Sequence, residues 1–154
     1  MGFKHIFKAE ALWLSDRNTE NIKKYSRNHT VTIEGKLVLN VSAAKAFKGD
    51  VTLYNPEDML LSSLVSCPMM SYLYVCSQSG IEVLNYSDNA VATLEVEADG
   101  SGRFTEVILN PKVVIAQADR VEEALALHKK ANQLCFIANS CNFPILHNPV
   151  CEVE

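Results

Sequence analysis

Asn55-Pro56-Glu57-Asp58-Met59-Leu60-Leu61-Ser62-Ser63-Leu64-Val65-Ser66-Cys67 is the stretch on which the fold turns. Asn is a strong N-cap, Pro suits the first helical position, and two carboxylates in the first turn face the positive end of the helix dipole. No charged residue follows from Met59 to Ile81, and Gly80 supplies a stop. Twenty-odd helical residues span roughly 35 Å. That length would also cross a bilayer. Serines, Gln78 and Pro68 interrupt the run, however, and its N-terminal flank is acidic rather than basic. The pattern predicts a buried central helix. Pro68 has no N–H for the Leu64 carbonyl, so a kink or opening is expected there.

Outward from this helix the pattern alternates. Over residues 3–13, Phe3, Phe7, Ala9, Ala11 and Trp13 share one face of an expected strand, and a polar loop follows over 15–24. Residues 30–33 and 37–41 flank Glu34-Gly35 as a hairpin. Downstream, residues 81–97 and 103–116 alternate around Asp99-Gly100-Ser101-Gly102. Asp119, with Glu122 three residues later, predicts a capped second helix running to about Leu134. A last strand is expected over 143–153. The fold class is α+β: an antiparallel sheet wrapped around a long buried helix, as one domain over 1–154.

Composition narrows the function. The chain has 154 residues, 48% apolar and 21% charged, with 18 acidic against 14 basic side chains and a net charge of -4. That describes one globular domain without a basic stripe, so nucleic acid is not an expected partner. The N-terminus lacks an apolar signal core, which places the chain in the cytoplasm, with no membrane partner expected. Cys67, Cys76, Cys135, Cys141 and Cys151 are odd in number and form no Cys-x-x-Cys, and the four histidines are scattered. Neither a disulfide scaffold nor a zinc site is expected.

Two cysteines are placed unlike the rest: Cys67 inside the apolar helix, directly before Pro68, and Cys135 where the second helix ends. By residue type alone each reads as a packed small hydrophobe. Reactivity would need a thiolate. An ordinary thiol near pKa 8.5 is about 3% ionised at pH 7, and one near 6 is about 90% ionised, so a cation would be required. The arginines are Arg17, Arg27, Arg103 and Arg120. Arg27 precedes a strand and could swing over a cleft, although a solvated loop cation reads the same way. Glu57 could orient an arginine through a bidentate pair, and the helix dipole explains it equally well.

Residues 55–67 resemble the signature segment of the OsmC/Ohr family of organic hydroperoxide reductases: Asn-Pro-Glu, a small and apolar run, then Cys ten residues after the Glu. Ala131-Asn132-Gln133-Leu134-Cys135 resembles the family's second-cysteine segment. Cys135-Phe136-Ile137-Ala138-Asn139-Ser140, with Phe143-Pro144-Ile145, is similar to an OsmC-like branch. The resemblance covers about residues 5–153. It implies an intertwined homodimer whose sheets wrap two central helices, with sites at the subunit interface. It also implies thiol-dependent peroxidation of organic hydroperoxides, with hydrogen peroxide as a further substrate. Cys67 would be the peroxidatic thiol, becoming a sulfenic acid, and Cys135 the resolving thiol. An external dithiol would reduce their disulfide, and no cofactor or metal would be needed. The roles of activating arginine and its carboxylate partner would fall on Arg27 and Glu57. Pro68, Asn132 and Phe136 depart from residues common in relatives.

Two other classes compete. A non-catalytic, stress-induced small-molecule-binding protein of the same fold would keep its cysteines only as packing. A hot-dog acyl-thioester hydrolase would want a carboxylate or His near the central helix, and none lies between Asp58 and Glu82. Within the leading reading, Glu57 precedes Cys67 by ten helical residues, a rise of about 15 Å. It would therefore serve the partner's thiol. The apolar surface of the 59–81 run exceeds what one thin sheet can cover, which predicts a homodimer with a large apolar interface. Sedimentation at micromolar concentration should give twice the chain mass; a monomer refutes this.

Overall fold

Asn55 caps the central helix with its side chain. Its Oδ1 accepts from the Asp58 N–H at 2.8 Å, and its Nδ2 donates to Asp58 Oδ2 at 2.7 Å. Helix α1 spans Pro56–Gln78. At its far end the Gly80 N–H donates to Ser77 O and the Ile81 N–H to Cys76 O, with Gly80 at φ 70°. This is the Schellman pattern that glycine permits. The opening expected at Pro68 does not occur: α1 stays helical through it, with Pro68 buried. The buried stripe is Leu64, Pro68, Tyr72, Val75 and Cys76, at the three-and-four spacing of one helical face. Its other side leaves Met70, Leu73 and Tyr74 exposed. By length and composition alone α1 could cross a membrane, yet its stripe packs into the protein's own core.

This computed structural model describes residues 2–15 and 24–154. The chain forms two compact units, Met1–Leu60 and Leu61–Glu154. In the first, β1 (Glu10–Leu12), β2 (His29–Thr32) and β3 (Leu39–Val41) form an antiparallel sheet in that order. The β2–β3 turn falls at the expected Gly35, with φ 75°. The strand expected over 3–13 shortens to Glu10–Leu12, and Phe3 and Phe7 lie in solvent. The partner strand β2 offers register only to those three residues.

The second unit holds β4 (Val83–Asp88), β5 (Val91–Val96), β6 (Gly102–Leu109), β7 (Pro111–Ile115), α2 (Val121–Leu134), β8 (Ile145–His147) and β9 (Val150–Val153). Its two sheets run β4-β7-β9 and β5-β6-β8. The chain passes from β6 to β7, and so between sheets, at Asn110, whose N–H donates to Asp88 Oδ1 at 2.8 Å. The sheets are mixed, not wholly antiparallel as expected: β8 joins β6 and β9 joins β7 in parallel. Parallel pairing needs a crossover, and α2 provides one between β7 and β9. The Asp119 cap is not made either. A 3-10 turn, Ala118–Arg120, leads into α2, and Arg120 takes the cap position with no side-chain cap bond. Its guanidinium instead pairs with Glu123 at 2.6 Å and donates to Ser79 O at 3.0 Å.

The core of this unit gathers Tyr72, Val75 and Cys76 from α1, Val113 and Ile115 from β7, and Ala124, Leu127 and Ala131 from α2. His128 joins it, only 5% exposed, stacked on Tyr72 at 3.9 Å between ring centroids and 16° between planes. Its Nε2 has no partner. Burial, with His147 adding to it, pushes its pKa down to about 4, and burial lowers that of His147 too. The unfolded chain therefore takes these protons first as pH falls. Stability contributed by neutral His128 is intact above about pH 6.5 and is lost progressively down to about pH 4, by roughly 3 kcal/mol. Urea midpoints should fall over that window, and His128→Phe should flatten the fall. Equal slopes for the two chains would show that His128 is not the titrating group.

Candidate functional site

Helices α1 and α2 each deliver one thiol to a single point. The Cys135 and Cys67 Sγ atoms lie 2.6 Å apart, within reach of a covalent link. Cys135 directly follows α2, where the backbone turns extended and its N–H returns to Asn132 O. Beyond it, the Asn139 N–H donates to Cys135 O at 3.0 Å, and the Ala138 N–H points at Cys135 Sγ at 3.3 Å. These bonds pin the thiol. Cys135 is fully buried, whereas Cys67 is half-buried.

Cys67 opens on a groove of about 330 Å³ walled by Met70, Ser71, Tyr74, Leu134 and Phe136. Met70 is 58% and Phe136 83% exposed, so the groove is apolar yet open. Burial, followed by its hydrogen bond to Cys67, pushes the Cys135 pKa up to about 11. Cys135 thus holds its proton at neutral pH, next to a sulfur that can receive the bond. The other thiols lack such a setting. Cys76 is buried in the core, Cys141 Sγ donates to Ile137 O at 3.4 Å, and burial pushes both, and Cys151, upward.

Arg27 and Glu57 line one cavity of about 460 Å³ in the first unit, with Trp13, Tyr25, His29 and Ser42. The Arg27 guanidinium lies 4.8 Å over the Tyr25 ring and its Nη1 donates to Tyr25 O at 3.4 Å. The Trp13 Nε1–H donates to Ser26 O at 2.7 Å, tying β1 to the segment that carries Arg27. Glu57 Oε2 is buried with no partner. Among the described residues the ion pairs are Lys112–Glu152 and Arg120–Glu123. The implied Arg27–Glu57 pair is therefore not made; an aromatic face holds the cation instead. Arg17, the other arginine in this region, lies outside the described residues. No cluster of three His, Cys, Asp or Glu suited to a metal occurs among the described residues.

Sequence reasoning missed the walls of both cavities. Met70 and Tyr74 follow Cys67 by three and seven residues, the helical spacing that puts them on its face. Trp13 and Tyr25 gave no such signal: they line the same cavity from segments outside any strand, and Trp13 bonds the Ser26 carbonyl next to Tyr25.

A family model described as OsmC-like protein matches residues 48–148. An uncharacterised protein of Bacillus subtilis (strain 168), YmaD, is 29% identical over 119 residues, covering 75% of this chain and 79% of its own. An OsmC-like protein of unknown function from Vibrio cholerae superposes with a TM-score of 0.86 at 26% identity, over 96% of this chain and 100% of its own. An organic hydroperoxide resistance protein from Elizabethkingia anophelis shares the fold with a TM-score of 0.74 at 20% identity, over the full length of both.

The pKa near 11 has a direct consequence for labelling. Brief iodoacetamide treatment of the native chain at pH 8 should leave Cys135 unmodified, while the unfolded chain takes five labels. Peptide mapping reads this, and early alkylation of Cys135 would contradict its burial as a thiol.

Proposed function

The chain belongs to the OsmC-like protein family, and from that premise we propose that it is a thiol-dependent peroxidase reducing organic hydroperoxides, and hydrogen peroxide less well, in the cytoplasm. The observation that carries the proposal is the contact of Cys67 with Cys135 beside an apolar groove. Fold relatives named as organic hydroperoxide resistance proteins, from Elizabethkingia anophelis and Legionella pneumophila, point the same way.

Cys67, as thiolate, attacks the terminal peroxide oxygen. The O–O bond breaks, the alkoxide leaves as the alcohol after taking a proton, and Cys67 becomes a sulfenic acid. The groove houses the organic group, which hydrogen peroxide lacks. Cys135 sulfur then attacks the sulfur of the Cys67 sulfenic acid. The S–O bond breaks, the S–S bond forms, and the Cys135 proton leaves with the hydroxyl as water. A thiol protonated until that moment suits this step, because its proton is what the leaving hydroxyl needs. An external dithiol restores both thiols by exchange, and no cofactor takes part.

The domain working over 1–154 acts as a homodimer in this reading. Ten helical residues separate Glu57 from Cys67 on the unbroken α1, a rise of about 15 Å. Glu57 and Arg27 therefore serve the partner's thiol, the arginine leaving the Tyr25 ring to polarise the peroxide. A carboxylate placed against the sulfur itself would oppose ionisation. A second reading, a non-catalytic small-molecule-binding protein, is favoured by the aromatic cavity of Trp13 and Tyr25, whose Glu57 oxygen has no partner.

One equivalent of cumene hydroperoxide should lower the titratable thiols from five to three, with the chain lighter by the mass of two hydrogens and Cys67 linked to Cys135. Cys67→Ser should abolish consumption, and Arg27→Ala or Glu57→Ala should slow it about tenfold or more. A full thiol count after treatment rules out the peroxidase and leaves the binding reading.

A further inference from the structure

The two thiols meet at the ends of lever arms. Along α1, Tyr72 lies five residues beyond Cys67, a rise of about 7.5 Å. Along α2, His128 lies seven residues before Cys135, a rise of about 10.5 Å. These two side chains stack on each other at 3.9 Å and 16°. The Tyr72 hydroxyl reaches a further turn back and donates to the Ala124 carbonyl at 3.1 Å. The contacts thus run in opposite chain order on the two helices: 67 with 135, 72 with 128, 72 with 124. Tyr72 is fully buried and His128 nearly so, and the Tyr86 ring closes the cluster 5.8 Å from Tyr72. An imidazole whose Nε2 finds no partner is a costly choice for a core. Its contribution here is the flat face laid against Tyr72.

We propose that Tyr72 and His128 are positioning residues: their stack fixes the axial register of α2 on α1, and that register is what holds Cys135 against Cys67. The proposal rests on the disulfide step of the peroxidase reading but not on the peroxide. A slip of one helical turn is 5.4 Å, far more than a thiol pair tolerates, so the stack acts as a ratchet tooth. Side chains without a ring at position 128 leave the Tyr72–Ala124 and Arg120–Ser79 bonds and aliphatic contacts, which resist sliding less than they do together with two faced rings. Neither residue touches the sulfurs.

The test is the effective concentration of the thiol pair in glutathione buffers. Glutathione disulfide accepts the two electrons of Cys67 and Cys135 and leaves as two reduced glutathiones, so the oxidised fraction reports how well the thiols are held together. His128→Ala should lower the effective concentration about tenfold or more, and His128→Phe, which keeps the ring, should restore it to within about threefold. Val107→Ala, a truncation of a buried β6 residue remote in sequence from both helices, controls for lost stability and should leave it unchanged. The proposal is overturned if His128→Ala matches the native chain, if Phe fails to rescue, or if Val107→Ala lowers the value as much. A native chain that never links Cys67 to Cys135 in any of these buffers overturns the disulfide reading and the clasp together. A native chain that links, with an unaffected His128→Ala, overturns the clasp alone.

Discussion

A helix of 23 residues without a charge beyond its first turn must be covered, and the rest of the second unit follows from that constraint. Tyr72, Val75 and Cys76 are covered by Val113 and Ile115 of β7 and by Ala124, Leu127 and Ala131 of α2. Strand β7 sits centrally because it pairs with β4 on one side and β9 on the other. Helix α2 crosses over the same face, so the chain after it returns parallel to the strand before it. Burying one α1 stripe thus dictates both the mixed sheets and the place where α2 ends. The stripe it leaves bare, Met70, Leu73 and Tyr74, adjoins Cys67. The half-buried thiol and the unmet burial share one helix face.

What the sequence made legible is what neighbouring residues decide. The Asn55 cap, the Gly80 stop and the Gly35 and Gly100 turns each depend on a few adjacent dihedrals, and each stands where it was read. The failures depend on partners. Phe3 to Ala9 alternate as a strand should, but no strand in the described chain offers them hydrogen bonds. Asp119 and Glu122 have the spacing of a capping box, yet Arg120 has a better use for its guanidinium in Glu123 and the Ser79 carbonyl, a residue 41 positions earlier. Pro68 looked like a break because one missing N–H is a local cost; α1 absorbs it where the ring is buried.

The candidate site divides along the same line. Placement set Cys67 and Cys135 apart from the other cysteines, residue type read both as packing, and the resemblance joined them as the pair now found in contact. Arg27 and Glu57 share a cavity, but their pairing did not follow from that, since the Tyr25 ring two residues away competes for the cation at no cost in chain entropy. Tyr72 and His128 were invisible. They are 56 positions apart, and each fits its own helix as an ordinary apolar or half-polar residue.

In the proposed peroxidase, burial would give the thiol pair its division of labour. There the attacking thiol would shed its proton before it meets the peroxide, which contact with solvent and a cation favours, whereas the resolving thiol would pass its proton to the departing hydroxyl as its sulfur attacks. Cys67 is the half-buried member and faces the open groove, while Cys135 is fully buried against it. A buried thiol is also shielded from peroxide, so on this reading oxidation would enter at Cys67 and pass inward to Cys135. The asymmetry follows from where each residue sits: Cys67 on the edge of the buried stripe of α1, Cys135 at the end of a helix whose last turn is folded back by Asn132 and Asn139.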